Sequence, residues 1–443
     1  MFTELSLKNF KAWRDPITVQ LAAVTMLLGT NSSGKSSLIQ ALLLLKQTAA
    51  SPDRTIHLNF GGDEQHDYFN FGHFEDVVTY GTPSPQEFDI GFRFTAHPLV
   101  TGLEGLYGTK INEPSDVKLQ ASYRRNSDKA PVVHKLILRS GEHEFTVERG
   151  EKGAYSVQVD GQLAGQSREF APQRSIALSQ EALESIYKFD DSALASAEEI
   201  GFATRRQLDE IKYLGPLRPK PGRDYVWNKT RPGDLFNDGS GAISAILASE
   251  LLRSKEDASI IKNVSKWLKR LGIADKIAVK QLGHSTRYEI VVTKDGLTCN
   301  LRDVGIGVSQ VLPVLTLAFF APEGATVILE EPEIHLHPQA QAVLADLFVE
   351  TSKARNIQYI VETHSEHLFR RLQTLVAKND LKKEDCRLYF VERKGHVSIL
   401  KPLELDAYGR VLQWPQKFFG DALGETAEQA KLMFEHQLRE RKG

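Results

Sequence analysis

The stretch that decides the fold is Gly29-Thr30-Asn31-Ser32-Ser33-Gly34-Lys35-Ser36, which matches the spacing of a phosphate-binding loop (P-loop) in full. It follows the apolar run 22–28, interrupted only by Thr25, which predicts a buried strand, and it precedes residues 37–50, which are rich in good helix formers. Glycines let several backbone N–H groups converge on phosphate, and the following helix adds its positive end. A chance glycine turn is the alternative, but the strand and the helix favour a nucleotide site.

The loop supplies the residues that would bind phosphate and metal. The Lys35 ammonium would reach the β- and γ-phosphates, and the Ser36 hydroxyl would ligate Mg²⁺. The predicted nucleotide-binding residues of this region are Asn31, Ser32, Ser33, Gly34, Lys35, Ser36 and Ser37.

A second apolar strand, Thr326–Glu330, ends in two carboxylates, Glu330 and Glu331, just before Pro332. Hydrolysis of a nucleotide needs an acid that positions the metal and a group that orients or deprotonates water. We expect Glu330 to hold Mg²⁺ and Glu331 to act as the general base. The alternative is an acidic strand-to-helix turn without a catalytic role, which the P-loop in the same chain makes less attractive.

A third apolar strand, Gln358–Glu362, is followed by His364, whose imidazole could hydrogen-bond the γ-phosphate. A lone histidine is more often a capping or core residue, so this prediction depends on the other two motifs. His335 and His337 form an H-x-H pattern, but two histidines are too few ligands for a metal site, and we expect a structural role for them.

These motifs resemble the ABC-type ATPases of the structural-maintenance, RecF and overcoming-lysogenization-defect group (SMC/RecF/OLD-like), a group of AAA-family ATPases. Residues 330–338 are similar to its extended acidic motif, and residues 362–365 are similar to its switch-histidine motif. Glu330 stands where the group usually has aspartate. Gln47 is a candidate for the group's glutamine-loop residue, although a glutamine on the helix surface is the preferred interpretation.

The segment 303–310 precedes the acidic strand, where such ATPases carry their signature motif. The resemblance implies that Gly307 and Ser309 contact the nucleotide of the opposite protomer, and hence a homodimer, or a higher homo-oligomer, with ATP sandwiched between protomers. The departure of this segment from the transporter form of the signature argues against a transporter subunit.

The predicted fold class is α/β, a P-loop NTPase of the ABC-ATPase type with an antiparallel β subdomain and a helical insertion between the two parts of the ATPase core. Strand and helix alternate at both ends of the chain, which predicts one sheet shared by the two ends. The predicted boundaries are 1–52 for the N-terminal core, 53–170 for the β-rich subdomain, 171–296 for the helical insertion, 297–395 for the C-terminal core and 396–443 for the tail. The tail resembles a C-terminal domain of unknown function.

The composition, with 41% hydrophobic and 25% charged residues in 443, is that of an ordinary globular protein and disfavours disordered, collagen-like and disulfide-scaffold classes. The formal net charge of −2 gives no evidence for a nucleic-acid partner. Cys299 and Cys386 are distant and lack C-x-x-C spacing, so we expect inert buried thiols in a reduced, cytoplasmic protein. The N-terminus does not read as a secretory signal, and the apolar runs are too short to span a bilayer.

A basic stretch in the insertion interleaves cations with aromatic residues. Such a pattern could grip phosphates and stack on bases. The alternative, which we slightly favour, is a solvated loop whose aromatic side chains pack on the core. The residues concerned are Arg218, Lys220, Arg223, Tyr225, Trp227, Lys229 and Arg231.

The resemblance implies a Mg²⁺-dependent ATPase with ATP as its cofactor, but several roles remain open. One hypothesis is a sensor subunit of a bacterial anti-phage defence complex that controls a separate nuclease or toxin, because too few residues follow His364 to hold a nuclease beside the tail. The alternatives are a DNA-binding repair or clamp ATPase of the RecF/SMC type, and a nucleotide-regulated scaffold with little turnover. No membrane partner is expected.

Overall fold

The computed structural model describes residues 1–63, 67–96, 115–127, 129–252 and 258–414. Its strands are β1 (Phe2–Lys8), β2 (Ile17–Gln20), β3 (Val24–Gly29), β4 (Glu87–Ala96), β5 (Ser115–Arg125), β6 (Pro131–Ser140), β7 (His143–Arg149), β8 (Tyr155–Val159), β9 (Gln162–Ser167), β10 (Ile211–Leu214), β11 (Tyr225–Val226), β12 (Lys276–Gln281), β13 (Arg287–Lys294), β14 (Leu297–Asn300), β15 (Thr326–Glu330), β16 (Gln358–Glu362), β17 (Cys386–Lys394) and β18 (Val397–Pro402). Its helices are α1 (Lys35–Ala50), α2 (Phe74–Val77), α3 (Gln180–Phe189), α4 (Asp191–Asp209), α5 (Ala242–Leu251), α6 (Ala258–Arg270), α7 (Ile306–Phe320), α8 (Pro338–Arg355) and α9 (Glu366–Ala377).

A six-stranded sheet in the order β10-β15-β16-β3-β17-β18 forms the centre of the fold. Strands β10, β15, β16, β3 and β17 are parallel, and β18 runs antiparallel to β17. The P-loop strand β3 pairs with β16 and β17, which confirms that the two ends of the chain share one sheet. The carboxyl ends of β3, β15 and β16 therefore meet at one edge, the usual place for a ligand in a parallel α/β sheet.

An eight-stranded sheet in the order β2-β1-β4-β5-β6-β7-β8-β9 is antiparallel throughout. Strand β1 pairs with β4, so β1 and β2, which lie in the predicted N-terminal segment 1–52, are part of this sheet. Strand β10 lies within the predicted helical insertion, yet it pairs with β15 and joins the central sheet. A third, smaller antiparallel sheet contains β11, β13, β12 and β14.

Helix α1 packs between the central sheet and the antiparallel sheet. Its leucines share one hydrophobic cluster with alternate residues of β4, such as Phe88 and Phe92, and with Leu27 and Ile328 of the central sheet. Helices α7, α8 and α9 pack on the opposite face, in a second cluster that includes Met26. Because neighbouring residues of β3 enter different clusters, this strand is buried on both faces, as expected for a central parallel strand.

The two cysteines occupy different environments. Cys386 is buried, and burial raises the pKa of its thiol to about 12. Cys299 is exposed on β14, so the prediction of two buried thiols is wrong for this residue. In the part of the chain that the structure describes, no helix has the length and apolar character needed to cross a membrane.

Candidate functional site

The P-loop is held in a backbone conformation that requires its two glycines. Gly29 and Gly34 have φ values of 147° and 104°, and a Cβ at Gly29 would lie 2.1 Å from the Val391 carbonyl oxygen. A Cβ at Gly34 would lie 2.3 Å from Ser398 Oγ. The C-terminal strands β17 and β18 thus pack directly against the loop, where only glycine avoids a steric overlap.

Side chains from both ends of the chain fix the loop carbonyls. Ser398 Oγ donates to the Ser33 carbonyl at 2.6 Å, and Arg393 Nη1 donates to the Ser32 carbonyl at 3.2 Å. Trp13 Nε1 donates to the Gly34 carbonyl at 3.2 Å. These bonds fix the backbone of the loop, whose N–H groups can donate hydrogen bonds to a phosphate.

Lys35 is buried at the start of α1 with its ammonium folded over the loop. Its Nζ donates to the carbonyl oxygens of Gly29 and Thr30 at 3.2 and 2.9 Å, and it lies 3.7 Å from Glu362 Oε1. Burial lowers the pKa of Lys35, while Glu362 and Glu331 oppose that shift. The structure therefore brings the P-loop lysine into the field of the acidic strand ends.

Three carboxylates gather at the shared strand edge. Burial raises the pKa of Glu330 to about 7, and the nearby charges of Glu362 and Glu331 add to the shift. Glu330 Oε1 accepts a hydrogen bond from Tyr213 at 2.9 Å, and Glu362 Oε1 accepts one from Ser36 Oγ at 3.1 Å. The pKa of Glu362 is also raised, chiefly by burial. This excess of buried negative charge favours a cation at the site.

Glu331 and His364 form a more exposed pair beside these carboxylates. Glu331 Oε1 lies 3.8 Å from His364 Nε2, and about a third of each side chain is exposed. The backbone of Glu331 is left-handed, with a φ of 46°, and its N–H donates to the Glu362 carbonyl at 2.8 Å. Such a conformation is uncommon for a non-glycine residue and is frequent at functional sites.

The residues around His364 are fixed by a buried carboxylate. Glu333 Oε1 accepts hydrogen bonds from Thr363 Oγ1 at 2.5 Å and from the His364 N–H at 3.0 Å. Ser365 then caps α9 by accepting from the Leu368 N–H at 3.0 Å. Burial lowers the pKa of His364, and the charge of Lys35 adds to that effect. The imidazole is therefore neutral near pH 7 and can donate one hydrogen bond.

Sequence reasoning missed three of the residues that build this site. It did not assign a role to Glu362, Glu333 or Tyr213, although the first two lie inside quoted motifs. The order of strands supplies the missing signal for Glu362, since β16 lies between β15 and β3 and its last residue must reach the same edge. The sequence signal for Tyr213 is weaker: residues 213–218 resemble a recurring element of the group, but that resemblance assigns no role to the tyrosine.

A cavity of about 440 Å³ opens beside the P-loop and is lined by Ser32, Gly34, Ser36 and Ser37 on one side. Tyr80, which is 81% exposed, and His396 line it as well, with their ring centroids 6.0 Å apart. Two aromatic surfaces next to a phosphate-binding loop suit the base of a nucleotide, because every base presents a flat π face.

The structure does not bring Gly307 and Ser309 to the P-loop of the same chain. Ser309 Oγ donates to the Ile306 carbonyl at 2.9 Å, and Gly307 packs against the backbone of His335. Each lines a different cavity, and the described residues that line these two cavities include none of the P-loop.

Several other predictions are settled by the geometry. Arg218 is only 8% exposed, and Trp227 is buried, so the proposed nucleic-acid surface loses both residues, and the alternative of aromatic packing holds for Trp227.

Gln47 is 2% exposed and bonds the backbone of Asn59, Tyr68 and Phe69, so the interpretation as a surface glutamine is wrong. His337 is the N-cap residue of α8.

The fold and the converging motifs define an α/β protein of the P-loop NTPase class. A family model described as "AAA domain, putative AbiEii toxin, Type IV TA system" matches residues 24–370, and the chain belongs to this family. A second model, described as "Protein of unknown function (DUF3696)", matches residues 381–429.

One curated relative is similar over part of the chain. The OLD nuclease of Thermus scotoductus (strain ATCC 700910 / SA-01) is 30% identical over 132 residues, which are 27% of this chain and 25% of the relative. The chain thus matches about a quarter of the length of that relative.

Among solved structures, the SmcHead bound to the C-winged helix domain of ScpA has a TM-score of 0.46 at 15% identity, with 91% of this chain and 98% of that chain covered. The SMC head domain from Thermotoga maritima has a TM-score of 0.42 at 14% identity, covering 91% and 99%.

Proposed function

We propose that this chain is a Mg²⁺-dependent ATP hydrolase that dimerises around ATP. The observation that carries the proposal is the meeting of Lys35 and Ser36 with Glu330, Glu331 and His364 at one edge of the central sheet. A P-loop alone accounts for nucleotide binding, whereas the added carboxylates and imidazole supply the groups that hydrolysis requires.

The donor atoms at this edge fit a divalent cation and a triphosphate. The Ser36 hydroxyl and the Glu330 carboxylate are hard oxygen donors of the kind Mg²⁺ prefers, and we assign both to the metal. Glu362 Oε2 is buried without a hydrogen-bond partner among the described residues, which leaves an acceptor for a metal-bound water. When bound, Mg²⁺ would offset the negative charge of the β- and γ-phosphates.

The chain's own residues then act by position and charge. Lys35 exchanges its bonds to the loop carbonyls for bonds to phosphate oxygens. Glu331 accepts a proton from the attacking water, and the neutral His364 imidazole donates a hydrogen bond to the γ-phosphate. Gly307 and Ser309 approach the nucleotide held by the second protomer, so each site is complete only in the dimer.

The biological role that we propose is a sensor or regulatory subunit of a bacterial anti-phage defence complex, which controls a separate nuclease or toxin. The family's description names a toxin and a toxin–antitoxin system, and the relative from Thermus scotoductus is named a nuclease. The alternative of a DNA-binding clamp has less support, because Arg218 is buried in the protein interior.

Two substitutions test the chemistry. Lys35→Ala should weaken binding of a fluorescent ATP analogue at least about 100-fold, because the main cation for the phosphates is lost. Glu331→Gln should keep that affinity, lower phosphate release about 100- to 1,000-fold and increase the ATP-dependent dimer in sedimentation experiments. Glu323→Gln is the matched control, since Glu323 is exposed at the opposite end of β15.

Two results would contradict the proposal. A parental rate in Glu331→Gln would remove this residue as the general base. Failure of the parental chain to bind ATP with Mg²⁺ would remove the function altogether.

For the defence role, cells carrying the chain with its neighbouring genes should survive phage infection, and Lys35→Ala should abolish that protection while Glu323→Gln preserves it.

A further inference from the structure

Arg218 lies at the centre of a contact between the signature helix and the acidic strand end. It follows strand β10, and its side chain is 8% exposed. Nη1 donates to the Gln310 carbonyl of α7 at 3.2 Å, and Nη2 donates to the carbonyls of Glu330 and Glu331 at 3.1 and 3.2 Å. One guanidinium therefore joins two elements that carry different parts of the proposed ATPase site.

Burying this cation is costly, and its direct hydrogen bonds are to backbone carbonyls. Burial lowers the pKa of Arg218 to about 10, although Glu333 and Glu331 oppose the shift. Its Nε is also buried without a hydrogen-bond partner among the described residues. An incompletely satisfied buried cation contributes little to stability, so a positioning role explains its presence better.

The hydrogen-bond ladder of helix α7 is interrupted near its signature end, next to the Arg218 contact. Pro313 lies inside this helix and has no N–H to donate to the carbonyl one turn earlier, at Ser309. Arg218 enters the same turn at Gln310. The segment of α7 that bears Gly307 and Ser309 is therefore linked to a side chain that also holds the peptide of Glu331.

We propose that Arg218 is a positioning residue that couples the signature segment of α7 to the general base Glu331. The peptide that joins Glu330 to Glu331 donates through its N–H to the Glu362 carbonyl and accepts at its carbonyl oxygen from Arg218. A displacement of α7 caused by contact with the second protomer's nucleotide would be transmitted through the guanidinium to this peptide. The inference rests on the proposed ATPase function and deepens it by assigning a link between dimer formation and hydrolysis.

A matched control is Arg355, the last residue of α8, which contacts the other end of α7. Arg355 Nη1 and Nη2 donate to the carbonyls of Ala318 and Ala321, both at 2.7 Å. These contacts are also guanidinium bonds to backbone carbonyls of α7 and its C-cap, but they do not involve the acidic strand end. Replacing Arg355 therefore removes the same type of structural contact without the proposed coupling.

The test compares Arg218→Lys and Arg218→Met with Arg355→Lys and Arg355→Met, at a temperature where all folded variants remain native by circular dichroism. We expect Arg218→Met to lower kcat about 10- to 100-fold with KM and ATP-analogue affinity within about twofold, because binding groups are untouched. Arg218→Lys should lose less, since it keeps the charge but not the forked geometry. Both Arg355 variants should keep kcat within about twofold.

Different failures have different meanings. An unchanged kcat in the folded Arg218 variants overturns the coupling and leaves the ATPase proposal intact. An equal fall of kcat in the Arg355 variants overturns it as well, because the effect is then purely structural. If Arg218→Met does not fold, the same comparison is made with the lysine variants alone. If the parental chain itself does not hydrolyse ATP, the proposed function fails, and the coupling fails with it.

Discussion

The two large sheets of this protein use their buried residues in opposite ways. The carboxyl edge of the central sheet buries Glu330, Glu362 and Lys35, each at most 8% exposed. The antiparallel sheet buries aromatic and aliphatic side chains such as Phe92 and Phe145, at 2% and 0% exposure. Buried charge weakens a fold and buried apolar surface strengthens it, so the charged edge costs stability that apolar packing elsewhere in the protein must offset.

Helix α1 connects the two regions. It begins with the P-loop lysine and continues through leucines that pack in the same cluster as the antiparallel sheet. The apolar packing of the antiparallel sheet therefore helps to offset the free-energy cost of burying charge at the carboxyl edge of the central sheet. The following substitutions test whether stability and function can be changed separately.

The largest expected effect comes from Phe145→Ala on β7. Removing a fully buried phenylalanine should lower the free energy of unfolding by about 3–5 kcal/mol, measured by urea denaturation. ATP affinity per folded molecule should stay within about twofold. Leu163→Ala on β9, at a residue that is 60% exposed, is the control and should change stability by less than about 0.5 kcal/mol. A large loss of ATP affinity in folded Phe145→Ala would show that stability and ATP binding cannot be changed separately.

A smaller effect of opposite sign is expected from Glu330→Gln. The pKa of Glu330 rises from its ordinary value of 4.5 to about 7 in the folded chain. The folded state therefore binds a proton more tightly than the unfolded state, and this group reduces stability as the pH rises from about 4.5 through 7. Glutamine stays neutral at every pH.

Without nucleotide, Glu330→Gln should therefore be more stable than the parent by roughly 3 kcal/mol at pH 8, with little gain near pH 4.5, while ATP hydrolysis is lost. Urea denaturation at the two pH values measures this difference, with Glu323→Gln as the exposed control. An equal gain at both pH values would mean that the buried charge is not the cause.

The smallest expected effect comes from replacing either of two tyrosines of the central sheet, which should differ in their influence on kcat. Tyr213 donates to Glu330 at 2.9 Å, and Tyr389 donates to the Gln20 carbonyl at 2.8 Å. Replacing either by phenylalanine should cost about 1 kcal/mol of stability, because each variant loses one hydrogen bond. Only Tyr213→Phe should lower kcat, by about three- to tenfold. Equal kcat values in the two variants would show that Tyr213 has no influence on the site.

The sequence predicted that Lys35, Glu331 and His364 would meet at one sheet edge, because the signals for that meeting are local. Strands β3, β15 and β16 are short apolar runs that end in polar residues, and parallel strands place those ends at one edge. The strand pattern alone therefore predicts that these three residues lie close together. The prediction needed no information about which residues touch across the core.

The contacts that were missed depend on tertiary packing. Tyr213 and Arg218 reach residues about 90 to 120 positions away because β10 pairs with β15, and no local pattern specifies that pairing. Gln47 is buried because α1 packs between two sheets, whereas a polar residue in an isolated helix would face solvent. Cys299 is exposed because β14 is an edge strand, which pairs with β13 alone among the strands that the structure describes.

The border between the two family matches does not coincide with a border in the folded protein. Strand β17 belongs to the segment of unknown function, yet it pairs with β3 from Cys386 to Val391. A chain shortened to residue 370 would leave β3 as an open sheet edge and would remove Ser398 from the P-loop. Recombination between genes could therefore exchange this segment only together with the ATPase that it completes.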